Sequence, residues 1–587
     1  MALFTPSESP AVVVKEIDLT SGVPNVQSST GAFVGNFRWG PVEERVSISD
    51  EDGLADTFGT PDANNGRNID FISASQFLRY SNSLQVVRTV TSAAKNATYA
   101  AGVSNASSLS APTVKNKADF NSQVATLLSG NHVFTGRFPG ALGNSIRVSV
   151  WDSSDMTNWT YASEFDAAPG TSTYASNRSA TNDEMHIIVI DQDGLLTGTN
   201  GAVLERYAFV SKASDAKNTD GSNNFAKDVV NERSGFINFV GFDSDFVAAG
   251  AGTTVDSGEN FARGQADTIS KRANDIYDLT LGVNSGTITT TEYATGFDLF
   301  EDKDNVEVDF LIAPGMVIRS DQTTVVNDLI SIAGTTRKDC VAVASPARDD
   351  VVKVTNAATA TTNIVTTADT FTNSSYLIMD GNYLKVYDKF NDQFIQIPAS
   401  SSTAGIMAAT DRNAAPWFSP AGSRRGTYLG VTGIDYTPTK TQRDTLYKAS
   451  VNPIANIPGQ GLLLFGDKTG LARPSAFDRI NVRRLFLVLE RAIGRAAESV
   501  LFEFNDEFTR AEFVNIVEPV LREVKGRRGI TDFKVVCDES NNTAAVIDRN
   551  EFIASIFIKP ARSVNFITLN FVAVRTGVDF EEVVGTV

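Results

Sequence analysis

Histidine and cysteine are nearly missing. The 587 residues hold two of each: His132, His186, Cys340 and Cys537. A closed zinc site takes about four nitrogen or sulfur ligands, which would consume all of them, and nucleophilic chemistry loses its usual base. Two cysteines far apart in sequence read as buried free thiols of a reducing compartment. No apolar run approaches the roughly 18–20 residues of a membrane span. The first residues, MALFTPS, carry neither a basic nor an apolar segment, so no secretory signal is read. Asn-x-Thr triplets at Asn96 and Asn158 therefore imply no glycan.

Positive charge is also scarce, with 51 Lys and Arg against 69 Asp and Glu, a net of −18. Such a surface repels phosphate and disfavours general nucleic-acid binding. The deficit is uneven. Residues 470–587 carry 16 basic and 17 acidic residues, whereas residues 1–469 carry 35 and 52. The acidic skin thus belongs to the first four-fifths, and the last fifth is close to neutral.

What is present is ordinary globular material: 42% apolar residues, 20% charged, and 37 phenylalanines to fill cores. The length gives a prior of about four domains. Residues 11–19 (AVVVKEIDL) read as a strand between prolines and a Ser-Gly-Val-Pro turn. No hairpin partner is near, so this strand must pair with something distant. Residues 31–37 and 84–90 read as strands and residues 71–80 as a helix. From about residue 95 to 290 the composition shifts to Ser, Thr, Asn, Asp, Gly and Ala, with strand-like islands at 145–151, 186–191 and 207–212. This predicts a β-rich insertion with long loops. Residues 306–314 and 340–345 are short apolar runs flanking a helix at 323–333, a β-α-β pattern with both strands buried. The Thr/Ala/Asn-rich stretch 355–375 reads as a loop or mobile segment.

The strongest local patterns come last. Residues 478–503 have helical spacing, with Leu485, Val488, Leu489, Ala492, Ile493, Ala496 and Val500 on one face and Arg484, Arg491 and Arg495 on another. Thr509 and Glu512 form a capping box that opens a second helix, with Phe513, Ile516, Val517, Val520, Leu521 and Val524 on one face, Pro519 inside it as an expected kink and Gly526 as its stop. Strands follow at 533–537, 552–558 and 564–574, and then an acidic-apolar tail.

Motifs for chemistry fail on inspection. The stretch Gly461 to Thr469 (GLLLFGDKT) approaches a phosphate loop, but Asp467 places a negative charge where phosphate would sit, and the leucines read as a strand. Asp191-Gln192-Asp193-Gly194 begins like a calcium loop, yet lacks the required glycine and glutamate, with Leu196 and Ala202 in their places. It reads as a polar turn. The histidines read as core or surface residues, and no pair of carboxylates stands out. Two basic clusters remain, Arg483-Arg484 and Lys525-Gly526-Arg527-Arg528, as solvated faces or as cationic surfaces for a partner.

Many separate stretches, in order from end to end, resemble the contractile tail sheath proteins of T-even-type myoviruses. They include SPAVVVKE (from Ser9), STGAFVG (from Ser29), RWGP (from Arg38), FGTP (from Phe58) and LQVVRTV (from Leu84). Further on come DGNYLKVYDKFNDQFIQIPAS (from Asp380), FGDKTG (from Phe465), FDRINVRRLF (from Phe477), VVCDESNNT (from Val535), VIDRNEF (from Val546) and PARSVNFITLNFV (from Pro560). The chain departs from the pattern after Thr91, where residues 93–112 form a short Ala/Ser/Asn stretch in place of a larger protruding domain.

The resemblance implies an α+β multidomain chain: mixed α/β middle and C-terminal domains, a β-rich inserted outer domain, and terminal arms exchanged as β-strands between subunits. The expected division is an arm at 1–20, a middle domain from 21–95 and 291–438, the insertion at 96–290, a C-terminal inner domain at 439–575 and an arm at 576–587. The implied function is a helical homopolymer around a tail tube protein, with a baseplate and a tail terminator at its ends. It would be located in the virion tail, and in host cytoplasm during assembly. No catalysis, cofactor, direct nucleic-acid contact or membrane insertion is implied. The intersubunit strands are expected at Val12, Val13, Val14 and Ile17 and at Val572, Val574, Phe580 and Val583. The tube-facing basic candidates are Arg483, Arg484, Lys525, Arg527 and Arg528. The alternatives are the sheath of a pyocin-like or other contractile particle, and, from the Ser/Thr/Asn-rich insertion alone, a tail-borne adhesin.

Overall fold

The computed structural model describes residues 29–100, 110–153, 155–178, 180–241 and 276–563. These fall into two units, one of residues 29–416 and 420–492, the other of residues 417–419 and 493–563.

The larger unit is built on a six-stranded sheet in the order Leu377–Met379, Val341–Ala344, Phe310–Ile312, Gly31–Gly35, Leu84–Arg88, Arg45–Ile48. The first five strands are parallel and the last is antiparallel. A parallel sheet must be covered on both faces, and strand alternation divides its side chains between two cores. Phe33, Leu84, Val86, Phe310, Ile312, Val341, Val343 and Ile378 face helices Arg67–Leu78 and Ser400–Asn413. Ala32, Val34, Val87, Leu311, Ala342, Ala344 and Met379 face helices Thr290–Asp298, Arg319–Ser331 and Ala357–Thr370.

The last of these helices corrects the loop expected at 355–375. Asn356 caps it by accepting from the N–H groups of Ala358 and Thr359. Thr361, Thr362, Thr366 and Thr367 return their hydroxyls to the carbonyls four residues earlier. Ala360, Thr361, Ile364 and Thr367 are its buried stripe. A composition typical of loops is helical here because Asn356 caps the first turn and a 3–4 spacing of small residues meets the core, while the hydroxyls find acceptors within the helix.

Between Arg88 and Phe310 the chain builds two further sheets. One is antiparallel, in the order Ile276–Asp278, Ile146–Trp151, Glu184–Asp191, Ala202–Ser211; the other joins Thr98–Ala100, His132–Gly136 and Ile237–Phe239. The link back to the main sheet runs through Arg88. Its guanidinium is fully buried and donates to the carbonyls of Phe37 (3.0 Å), Gly40 (2.7 Å), Arg38 (3.3 Å) and Pro139 (2.6 Å). Burial, with a smaller push from Arg67, lowers its pKa to about 9.

Residues 439–492, grouped with the C-terminal domain on sequence grounds, cluster with the larger unit. The reason is hydrogen bonding to the sheet's edge strand: Asn452 donates to the Met379 carbonyl from both its backbone and its side chain, and Gly470 N–H donates to Leu377. The smaller unit holds helix Glu507–Gly526 and the hairpin Ile530–Val536/Ser555–Pro560. Of the expected face the helix buries Phe513, Val517, Leu521 and Val524, while Ile516 and Val520 are half-buried, and the helix continues through Pro519. Its cap is Asp506, which accepts from Thr509 N–H at 2.8 Å, rather than Thr509 itself.

Candidate functional site

The five basic candidates separate into two kinds. Arg483 and Arg484 lie inside the larger unit, on helix Ile480–Glu498. The Arg483 guanidinium sits 4.3 Å from the Tyr376 ring centroid and 4.9 Å from that of Phe477, with Glu490 at 3.5 Å. Arg484 forms a two-pronged pair with Asp411, one contact at 2.6 Å, and its guanidinium lies over Phe310. Both side chains are nearly fully buried and engaged within their own chain, so they fasten a helix to a sheet. Sequence reading placed Arg484 and Arg491 on a separate polar face. Their carboxylate partners, Asp411 and Asp309, are 73 and 182 residues away and carry no local pattern.

Lys525, Arg527 and Arg528 are exposed. They surround the end of helix Glu507–Gly526, where the free carbonyls make the dipole negative and cations are favoured. The chain leaves the helix through a Schellman turn: Gly529 N–H returns to Val524 O and Arg528 N–H to Lys525 O, with Arg528 at φ 67°. The left-handed residue is therefore Arg528, not Gly526. A Cβ at Gly529 would collide with Val524 and Trp417, so this turn has no room for another residue. Trp417 Nε1 donates to the Arg527 carbonyl at 3.1 Å, and the Arg527 guanidinium lies 5.1 Å from a Trp417 ring centroid. Lys525 meets Asp532 at 3.1 Å and Arg527 meets Glu523 at 3.4 Å. Exposed pairs of this kind are worth about 0–1 kcal/mol, so these cations can exchange partners cheaply.

The expected intersubunit strands, Val12, Val13, Val14 and Ile17 with Val572, Val574, Phe580 and Val583, lie outside the described residues. Among the described residues, strand Ile530–Val536 pairs with Ser555–Pro560 alone.

The chemical motifs resolve into structure. Gly461–Leu464 is a strand, and Asp467 is buried against Arg479 at 3.0 Å. Asp191 accepts from the backbone N–H groups of Leu195, Leu196 and Thr197, a turn that tethers its own loop. His132 shares a hydrogen bond with Thr98, and His186 lies stacked on Phe165, its Nδ1 accepting from Phe209 N–H. No cluster of three or more potential metal ligands occurs among the described residues, and no helix there is long and apolar enough to cross a membrane.

Comparison with known proteins covers both units. The family described as phage tail sheath protein central domain matches residues 286–470, and the phage tail sheath C-terminal domain matches residues 472–573. The tail sheath protein of Enterobacteria phage T4 is 30% identical over 687 aligned positions, covering 98% of this chain and 99% of that protein. The tail sheath protein of Salmonella phage ViI is 31% identical, covering 99% and 98%. That of Vibrio phage KVP40 is 50% identical over a shorter stretch, 36% of this chain and 32% of that protein. The crystal structures of sheath tail proteins from Listeria innocua and Desulfitobacterium hafniense share the fold at 12% identity, with TM-scores of 0.52 and 0.50 and coverage of 91% and 94% of this chain, 96% and 100% of theirs. The layered α/β body and the end-to-end alignment define a structural component of a phage tail. The chain belongs to the phage tail sheath protein family.

Proposed function

We propose that the chain is the repeating subunit of a contractile sheath. It polymerises helically around a tail tube in a metastable extended state, and contracts to drive the tube through the host envelope for genome delivery. The observation that carries this reading is the alignment with the T4 tail sheath protein over nearly the full length of both chains. The test is negative-stain microscopy of the purified protein. Tubes of uniform diameter support the proposal; discrete monomers or trimers under all assembly conditions overturn it.

In this reading the terminal segments bearing Val12, Val13, Val14, Ile17, Val572, Val574, Phe580 and Val583 add strands to neighbouring subunits, since backbone hydrogen bonds give affinity and alternating side chains give register. Deleting residues 1–20 should abolish tubes, and a truncated chain that still forms them refutes the assignment. Lys525, Arg527 and Arg528 face an acidic tube, while Arg483 and Arg484 are engaged inside the larger unit. A baseplate and a terminator close the two ends, and the subunit resides in the virion tail after assembly in host cytoplasm. The 687 aligned positions exceed the 587 residues of this chain by 100, which supports a reduced outermost domain.

A further inference from the structure

The connector between helices Ile480–Glu498 and Glu507–Gly526 carries Leu501, Phe502, Phe504 and Phe508 in the open, at exposures from 62% to 104%. A Phe side chain presents about 150–250 Å², so this patch amounts to roughly 500 Å², a size at which an exposed apolar patch often serves as a contact surface. The connector is nonetheless fixed. Asn505 Nδ2 donates to the Glu551 carbonyl at 2.8 Å, Arg510 donates to Asn505 Oδ1 at 2.9 Å, and Asp506 caps the following helix. Phe502 has φ 70°, a backbone region that a bulky residue occupies only when its surroundings impose it. Rigid aromatic side chains rimmed by Glu503 and Glu507 form a wedge.

A surface of matching chemistry occurs in the larger unit. Phe465 is half-exposed, with the Arg443 guanidinium 5.7 Å from its ring centroid. The turn 422–426 lies against it, because Gly422 N–H donates to Leu464 O and Leu464 N–H to Gly426 O. That turn brings Arg424 and Arg425 to the same place. Burial and then the charge of Arg424 hold the Arg425 guanidinium below its usual pKa.

We propose that the acidic-aromatic wedge at residues 501–508 of one subunit docks on the basic-aromatic Phe465 surface of a second copy, with Glu503 meeting Arg424. The proposal rests on the polymeric reading above. The two surfaces differ, so the contact is heterologous and propagates a helix rather than closing a dimer. A second copy fits better than the tube, because an apolar contact of this size resists release, and the complementary charges are present in the chain itself.

The experiment compares polymerisation of the wild-type full-length chain with that of Glu503→Arg, Arg424→Glu and the double variant, all checked by thermal melting. These are exposed positions, so the melts should be unchanged. Each single variant should raise the critical concentration for tubes at least about tenfold, and the double variant should recover most of the loss. Phe502→Cys with Phe465→Cys should cross-link subunit to subunit inside tubes. Unchanged single variants, no recovery in the double variant, or a Phe502→Cys cross-link to tube protein or to a terminal segment would each overturn the wedge assignment. A wild-type chain that forms no tubes defeats the polymeric reading itself.

Discussion

The guanidinium of Arg491 stands 2.7 Å from Asp309 Oδ1, and Asp309 Oδ2 in turn accepts the backbone N–H of Thr30 at 3.0 Å. Arg491 also donates to the Asp339 carbonyl at 2.8 Å. One buried carboxylate thus ties helix Ile480–Glu498 to the residue that opens the first strand of the central sheet. Breaking a buried pair from one side leaves a charge without compensation and costs about 3–5 kcal/mol. Arg491→Ala should lower the unfolding free energy of the larger unit by that order in denaturant titration. Adding Asp309→Leu should recover only part of it, because Thr30 N–H then loses its acceptor. A single variant within about 1 kcal/mol of wild type would show that solvent reaches Asp309.

Two other buried carboxyls make stability depend on pH. Asp70 accepts from Asn36 N–H at 2.8 Å and Tyr293 OH at 3.3 Å; Asp380 accepts from Ser345 at 2.9 Å and Thr403 at 3.1 Å. Burial outweighs these bonds and raises both pKa values to about 7. The folded state then takes up protons that the unfolded chain, with carboxyl pKa near 4, does not bind until lower pH. Stability from these two groups is therefore gained as pH falls from about 7 toward about 4, and lost as pH rises through 7. Asp70→Asn keeps an acceptor and removes one titration. It should melt higher than wild type at pH 8, with the difference shrinking at pH 5. A constant difference across that range would mean that Asp70 does not titrate there.

Elements whose side chains follow a short period were legible in the sequence: the buried strands at 31–35, 84–88 and 341–344, the helix spacing of Phe513, Val517, Leu521 and Val524, and the strand at 461–464 that defeated the phosphate-loop reading. Helix Ala357–Thr370 was not, because threonine propensity is read residue by residue while its stability comes from the Asn356 cap and a tertiary contact. Nor was the split among the basic residues. Arg483-Arg484 and Arg527-Arg528 look alike as dipeptides, and only the fold shows the first pair buried over aromatic rings and the second at an open helix end. The exposed aromatic wedge did leave a trace, three phenylalanines and three carboxylates between residues 502 and 508, in a connector where turn residues would be expected.

Gly494 has no evident packing role. It lies inside helix Ile480–Glu498, and a Cβ there would meet nothing within 4 Å. Glycine in a helix interior costs about 0.5–1 kcal/mol relative to alanine through the freedom it retains when unfolded. Gly494→Ala should therefore raise stability by that amount, seen as a higher midpoint in thermal or denaturant unfolding with an unchanged slope. A lower midpoint would reveal a neighbour that the added methyl group strikes, and would direct attention to close approach of another subunit in the assembled state.

The exposed cations at the end of helix Glu507–Gly526 give the last expectation. Arg527 has Glu523 and Trp417 as local partners, and Arg528 is set in place by its left-handed turn. Reversing both, Arg527→Glu and Arg528→Glu, puts negative charge at a helix C-terminus, an effect of about 0.3–1 kcal/mol per charge, too small to unfold a subunit. If these residues face an acidic tube, the variant should assemble poorly on tubes while still forming tube-free polymers. The wild-type association should also weaken as salt shortens the Debye length from ~10 Å at 0.1 M to ~3 Å at 1 M. Co-sedimentation with preformed tubes across that salt series measures both effects. Equal binding by variant and wild type at every salt would remove the cations from the tube interface and leave them as caps for their own helix.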